Sequence, residues 1–116
     1  MVEDHFSSAH YLTHYEGNCE NMHGHNFKVQ VFVKGTQLDE AGLLADFKIL
    51  KKDLKSLLDT IDHRVLNDLV PFNPTSELMA KYLYENFQEK LTSATAHVSK
   101  VVVWESDKAC AAYYKE

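Results

Sequence analysis

The stretch HGHNFKVQVFVKG, residues 23–35, decides how the rest of the chain is read. Phe27, Val29, Val31 and Val33 alternate with Lys28, Gln30 and Lys34. That period of two predicts a β-strand with one apolar and one polar face. His23 and His25, which open the strand, are two residues apart, so both imidazoles leave the same face. Upstream, residues 6–22 read FSSAHYLTHYEGNCENM, and His10 lies there on an extended segment that can pair alongside. Three neutral imidazoles converging in this way suit a zinc ion with a fourth position left open. An open position is the catalytic form of such a site, in which a water or substrate oxygen is polarised. Spacing leaves Cys19 undecided between a fourth ligand closing a structural site, a buried thiol, and a nucleophile or base beside the metal.

The same alternation logic organises what flanks this stretch. Residues 2–12 read as a first strand whose period is broken between Phe6 and Ala9, which predicts a β-bulge near Ser7–Ser8. Gly35 begins a turn that runs to about Gly42. From Asp46 to Thr60 the period lengthens. Phe47, Leu50, Leu54, Leu57, Leu58 and Ile61 recur at three and four, with Lys48, Lys51, Lys52 and Lys55 opposite, which predicts an amphipathic helix capped by Asp46 with a solvated basic face. Residues 62–74, DHRVLNDLVPFNP, form an irregular connection. A second helix follows, capped by Asn73 or Thr75, with Leu78, Met79, Tyr82, Leu83, Phe87 and Leu91 as its core face. Residues 98–105, VSKVVVWE, are a β-branched strand with Val101 and Val103 on one side and Val98, Val102 and Trp104 on the other. Residues 109–115 return after a turn as a last strand. The order ββααββ predicts an α+β domain over residues 1–116, a four-stranded antiparallel sheet with both helices on one face. The uncovered face of such a sheet calls for association with other copies.

Composition bounds the function. The chain has 116 residues, 45% of them apolar and 25% charged, as in ordinary single globular domains. Twelve basic against seventeen acidic residues give a net charge of −5, which argues against nucleic acid and anionic membranes as partners. No apolar run reaches membrane-spanning length. Two cysteines, Cys19 and Cys110, are too few for a disulfide framework, and MVEDHF has no signal-peptide pattern, so the expected location is cytoplasmic.

Six motifs in order then give the chain a family likeness. They are F-x-x-A-H at Phe6–His10, C-x-x-x-H-G-H at Cys19–His25, G-x-x-x-D-F at Gly42–Phe47, D-H-x-x-L-N at Asp62–Asn67, P-T-S-E at Pro74–Glu77, and Glu105. In these the chain resembles the 6-pyruvoyl-tetrahydropterin synthase and 6-carboxytetrahydropterin synthase group, members of the tunnelling fold. The resemblance implies that His10, His23 and His25 hold Zn2+. It makes Cys19 a catalytic acid/base thiol, Asp62 and His63 a proton-shuttling dyad, and Glu105 the anchor for the 2-amino-pyrimidinone edge of a pterin; Thr75 reads as helix-start chemistry first, with substrate contact second. It implies a zinc-dependent lyase in queuosine biosynthesis that converts 7,8-dihydroneopterin triphosphate to 6-carboxytetrahydropterin, acetaldehyde and triphosphate. Triphosphate elimination to 6-pyruvoyl-tetrahydropterin is the close alternative. Glu20 directly follows Cys19, a pattern like that of hybrid members that also make 6-hydroxymethyl-dihydropterin for folate; a solvated loop glutamate is the plain reading of the same residue. A non-catalytic metal- or pterin-binding module is the alternative of another class. The family implies a homohexamer of two stacked trimers, each trimer closing its sheets into a barrel.

Overall fold

The computed structural model describes residues 1–14 and 21–115. Its elements are β1 (Val2–His10), β2 (His23–Gly35), α1 (Phe47–Asp59), a single 3-10 turn (Leu66–Asp68), α2 (Ser76–Lys90), β3 (Ala96–Ser106) and β4 (Ala109–Tyr113). The four strands make one sheet in the order β1-β2-β3-β4, every neighbour antiparallel. Both helices lie on one face, α1 against β1 and α2 against β3 and β4. The α+β, ββααββ architecture expected from the sequence is therefore the one observed.

The core lies between that face and the helices. Phe6, Phe27, Val29, Val31, Val101 and Val103 come from the sheet, and Leu54, Leu58, Met79, Leu83 and Phe87 from the helices. Fully burying each such side chain stabilises the fold by about 1.5–3 kcal/mol. Asp46 caps α1 by accepting from the Lys48 N–H at 2.8 Å. Of the two candidates for α2, the cap is Thr75, whose hydroxyl accepts from the Leu78 N–H at 3.1 Å; Asn73 is used elsewhere.

Four expectations are corrected. There is no bulge at Ser7–Ser8: β1 pairs residue for residue with β2 from Val2↔Val31 to His10↔His23, and ends at His10. Ser8, not Ala9, holds the core position, because its hydroxyl donates to the Ile61 carbonyl and so enters the interior satisfied. The irregularity sits instead on β3, where Phe32 faces Lys100 and Val33 faces Val98. Ser99 is the extra residue, and it turns Val98 onto the core face with Val101 and Val103. Phe47 is 63% exposed and Leu78 38%, so neither belongs to the helical core stripes assigned to them.

Candidate metal centre and flanking dyad

The register of β1 on β2 sets His10 directly opposite His23, and Ser8 opposite His25. With a period of two, all three imidazoles fall on the face that carries the core, beyond the stacked rings of Phe6 and Phe27. Their centroids are 4.7 Å apart for His10–His23, 5.1 Å for His10–His25 and 4.6 Å for His23–His25. Phe27 meets His10 and His25 edge-on at 5.5 and 5.4 Å, an apolar floor beneath the cluster.

Hydrogen bonds select which nitrogen each ring presents. His10 Nδ1 lies 2.8 Å from the Pro74 carbonyl, and His23 Nδ1 lies 2.9 Å from that of Asn21. A carbonyl only accepts, so each Nδ1 carries the hydrogen and each Nε2 presents its lone pair. His10 Nε2 is buried and has no hydrogen-bond partner among the described residues. A buried acceptor left without a donor costs about 1–3 kcal/mol, and a cation at that nitrogen removes the cost. His25 Nε2 is 3.2 Å from Glu105 Oε1, while Glu105 Oε2 accepts from Ser76 Oγ at 2.9 Å. One ligand atom from each of His10, His23, His25 and Glu105 falls within 4.8 Å of all the others. Backbone carbonyls fixing imidazole tautomers are the usual outer shell of a metal site.

Glu105 sits where β3 leaves regular pairing with β4, between Trp104↔Cys110 and Ser106↔Ala109. A cavity of about 210 Å³ opens beside it, lined by Ser76, Glu77, Ala109, Cys110 and Ala111. Glu105 can thus complete a four-ligand set or face a ligand in that cavity.

Asp62 and His63 are joined as an acid–imidazole pair, His63 Nδ1 to Asp62 Oδ2 at 2.9 Å. The other carboxylate oxygen, Oδ1, accepts from the Ser7 N–H at 2.8 Å. That backbone donor, more than the imidazole, holds the Asp62 carboxyl below its ordinary value of 3.8 against the opposing effect of burial. His63 has a positive φ of 55° and an 80% exposed side chain, so its Nε2 faces outward while its Nδ1 is held.

The sequence-nominated residues thus divide. His10, His23, His25 and Glu105 come together, and Asp62 and His63 form a pair on the edge of β1. Thr75 spends its hydroxyl on the helix cap. Cys19 and Glu20 lie outside the described residues. Sequence reading missed the carbonyls of Pro74 and Asn21 and the Ser76 hydroxyl on Glu105. Backbone acceptors leave no signature in residue type; Ser76, beside a helix cap, signalled only a helix start.

Comparison with known proteins gives the family and the fold. A family model described as 6-pyruvoyl tetrahydropterin synthase matches residues 1–116. A Synechocystis protein named 6-carboxy-5,6,7,8-tetrahydropterin synthase is 38% identical over 90 residues, 72% of this chain and 70% of that one. A Bacillus subtilis protein of the same name is 37% identical over 95 residues, 75% of this chain but 63% of the relative's length. Among solved structures, the Caenorhabditis elegans 6-pyruvoyl tetrahydropterin synthase superposes with a TM-score of 0.83 at 30% identity, covering 99% of this chain and 93% of that one.

Proposed function

The chain belongs to the 6-pyruvoyl tetrahydropterin synthase family, and from that premise we propose that it is a zinc-dependent 6-carboxytetrahydropterin synthase. Its substrate in this reading is 7,8-dihydroneopterin triphosphate, which with water yields 6-carboxytetrahydropterin, acetaldehyde and triphosphate for queuosine biosynthesis. The observation that carries the proposal is the convergence of three imidazoles, with their tautomers set, on a buried and unsatisfied His10 Nε2.

His10, His23 and His25 would hold the ion. Three nitrogens with a carboxylate nearby are the donor set of a catalytic zinc. Bound there, zinc supplies Lewis acidity toward the side-chain oxygens of the substrate. The rest of the work falls to the chain's own residues. Glu105 accepts paired N–H bonds from the pterin edge, and the Ser76 hydroxyl on Oε2 fixes its plane. Cys19, as a thiolate, takes a proton from the carbon beside the substrate hydroxyls. His63 returns or relays a proton from its exposed Nε2, and Asp62 holds its ring and stabilises its charged form. A thiol in this role fits a reducing, cytoplasmic setting. Among the described residues, no helix is long and apolar enough to cross a membrane.

The C-E-x-x-H-G-H pattern at Cys19–His25 favours one second reading, an added 6-hydroxymethyl-dihydropterin activity through Glu20. One experiment tests both. Purified protein is incubated with 7,8-dihydroneopterin triphosphate, with and without prior removal of metal, and products are identified by mass. 6-Carboxytetrahydropterin formed only by the metal-loaded protein is expected. 6-Pyruvoyl-tetrahydropterin as the sole product would transfer the chain to the elimination reaction, and no turnover would leave a binding module.

A further inference from the structure

The carbonyl that orients His10 belongs to a residue held from both sides. Asn73 precedes Pro74, and its carboxamide clamps the main chain of Thr13. The Thr13 N–H donates to Asn73 Oδ1, and Asn73 Nδ2 donates to the Thr13 carbonyl, both at 2.8 Å. A carboxamide suits this because it offers an acceptor and a donor in one plane. On the other side of Pro74, the Thr75 N–H donates back to the Asn73 carbonyl at 2.8 Å. A bond from one residue to the next but one closes a γ-turn, with Pro74 at its centre. The proline ring locks φ at about −65°, close to the value of about −75° that the inverse form of this turn takes. The turn uses the Asn73 carbonyl and the Thr75 N–H, which leaves the Pro74 carbonyl for a partner outside it. That partner is His10 Nδ1, at 2.8 Å in the buried interior. Thr75 is fixed in its turn as the cap of α2, with the Leu78 N–H on its hydroxyl and the Met79 N–H on its carbonyl.

Asn67 makes the same pair of bonds elsewhere on the same connection. The Tyr11 N–H donates to its Oδ1 at 3.0 Å, and its Nδ2 donates to the Tyr11 carbonyl at 2.8 Å. The connection also bridges β1 directly at Ala9↔Val65, and the His63 N–H donates to the Ser7 carbonyl. It is thus secured along β1 and beyond without Asn73. What sets Asn73 apart is its place in the chain, next to the residue whose carbonyl faces the imidazole. Thr13 lies just past His10 on one side, and Asn73 adjoins Pro74 on the other. The carboxamide clamp and the imidazole bond therefore brace each other across a short span.

We propose that Asn73 is a positioning residue for the metal centre. Its clamp on Thr13 holds the Pro74 carbonyl against His10 Nδ1 and keeps the hydrogen on that nitrogen. The lone pair then stays on the buried Nε2, where the other imidazoles converge. Without an acceptor held at Nδ1, a neutral imidazole can carry its hydrogen on either nitrogen, and the form with Nε2–H offers no lone pair there. The proposal rests on the reading of His10, His23 and His25 as zinc ligands. Loss of the outer partner of a metal-bound histidine typically weakens metal binding by about 10–100-fold.

The test compares Asn73→Ala with Asn67→Ala, each of which removes two hydrogen bonds to the main chain. Zinc affinity is measured by competition with a chromophoric chelator. The tautomer of His10 is read in the metal-free protein from the ring-nitrogen shifts of isotope-labelled histidine at alkaline pH, its signals assigned by their loss in His10→Gln. In Asn73→Ala the zinc Kd should rise by about 10-fold or more, and the Nε2–H form of His10 should appear. Asn67→Ala should leave both at the parent's values. Asn73→Ser is neutral but too short to make both bonds to Thr13; it should move both readings the same way, and it carries the test if the alanine variant does not fold. Either reading unmoved in a folded Asn73 variant would overturn the inference. Equal changes in Asn67→Ala would do so too, reducing both carboxamides to general supports of the connection. A parent that binds no zinc would instead sink the reading of the metal centre, and the tautomer alone would then decide whether Asn73 sets the carbonyl.

Discussion

His10 and Pro74, 64 residues apart in sequence, are joined by a 2.8 Å hydrogen bond from an imidazole to a backbone carbonyl. It fixes the tautomer of the deepest imidazole in the cluster, 1% exposed, and leaves its second nitrogen aimed at the other histidines. His10→Ala, His23→Ala and His25→Ala should therefore each lose the metal, since two remaining imidazoles hold zinc poorly. Elemental analysis of the purified variants measures it. Retention of one ion per chain in all three would remove the centre. Cys19→Ala, in contrast, should keep its ion and lose turnover.

Glu105 has two neighbours with opposite consequences, His25 at 3.2 Å and the Ser76 hydroxyl at 2.9 Å. If it anchors the pterin, Glu105→Gln keeps the metal and raises KM, because one accepting oxygen becomes a donor facing donors. A rise of about 10-fold or more corresponds to the loss of one charge-assisted pair. Loss of metal with unchanged KM would make Glu105 the fourth ligand.

The Asp62–His63 pair gives a prediction with a definite sign in pH. The folded-state carboxyl of Asp62 titrates below its ordinary 3.8 because the Ser7 N–H favours the charged form. Its contribution to stability is therefore fully present above that value and is lost as pH falls through the lower folded one. The difference in Tm between the parent and Asp62→Asn should shrink as pH falls below about pH 4. A difference that keeps its full size well below about pH 4 would contradict the assignment. Turnover should fall more in His63→Ala than in Asp62→Asn, since the imidazole moves the proton and the carboxylate orients it.

Much of this is legible in the sequence alone. Residues 23–35 alternate because one face of β2 is core and the other is not, and that alternation alone placed His23 and His25 together. α1 and α2 were legible for the same reason at the longer period. What failed did so where a distant partner changed the meaning of a residue. Ser8 looked like a break in the pattern, because burial of its hydroxyl depends on a carbonyl 53 residues away. Spacing alone puts Val98 on one side with Val102 and Trp104, since nothing in VSKVVVWE signals the extra residue Ser99. Phe47 and Leu78 matched a helical stripe by spacing, yet lie beside it rather than under the sheet. The carbonyls that orient His10 and His23 belong to Pro74 and Asn21, and any residue type would have offered the same oxygen.

Leu54 lies fully buried in the middle of α1, among the core side chains between helices and sheet. Leu54→Ala should destabilise the fold by about 2–5 kcal/mol through lost burial and a residual cavity. Gly35→Ala should also destabilise, because a Cβ there would collide with the Thr95 carbonyl oxygen and Leu44 Cδ1. Denaturant unfolding of both variants measures the effect. Parent-like midpoints would contradict the tight packing at the end of β2 and at the α1 interface.

The last prediction concerns what covers the other face of the sheet. Both helices lie on the core side, leaving Phe32, Val102, Trp104 and Ala112 across from them with no second layer among the described residues. Lys100 and Lys28 lie over Phe32 and Trp104, and Gln30 accepts from the Trp104 indole at 3.0 Å, so this face mixes apolar rings with satisfied polar groups. The chain is also long for its size: 54 by 28 by 27 Å, with a radius of gyration of 15.2 Å where a compact domain of this length would have about 13.4 Å. The 62–73 connection covers the edge of β1 only from Ser7 onward, and β4 ends the sheet at the other side. Edges left unpaired among the described residues at both ends of one sheet invite edge-to-edge pairing between copies, which closes a ring and turns the open face inward. The family resemblance, not the edges themselves, implies the size of that assembly: a trimeric barrel, doubled by stacking to a hexamer. Light scattering behind a sizing column should give a mass near six times 13.3 kDa. A trimer would keep the barrel and discard the stacking. An active species at the mass of one chain would show that the edges and the open face need no partner.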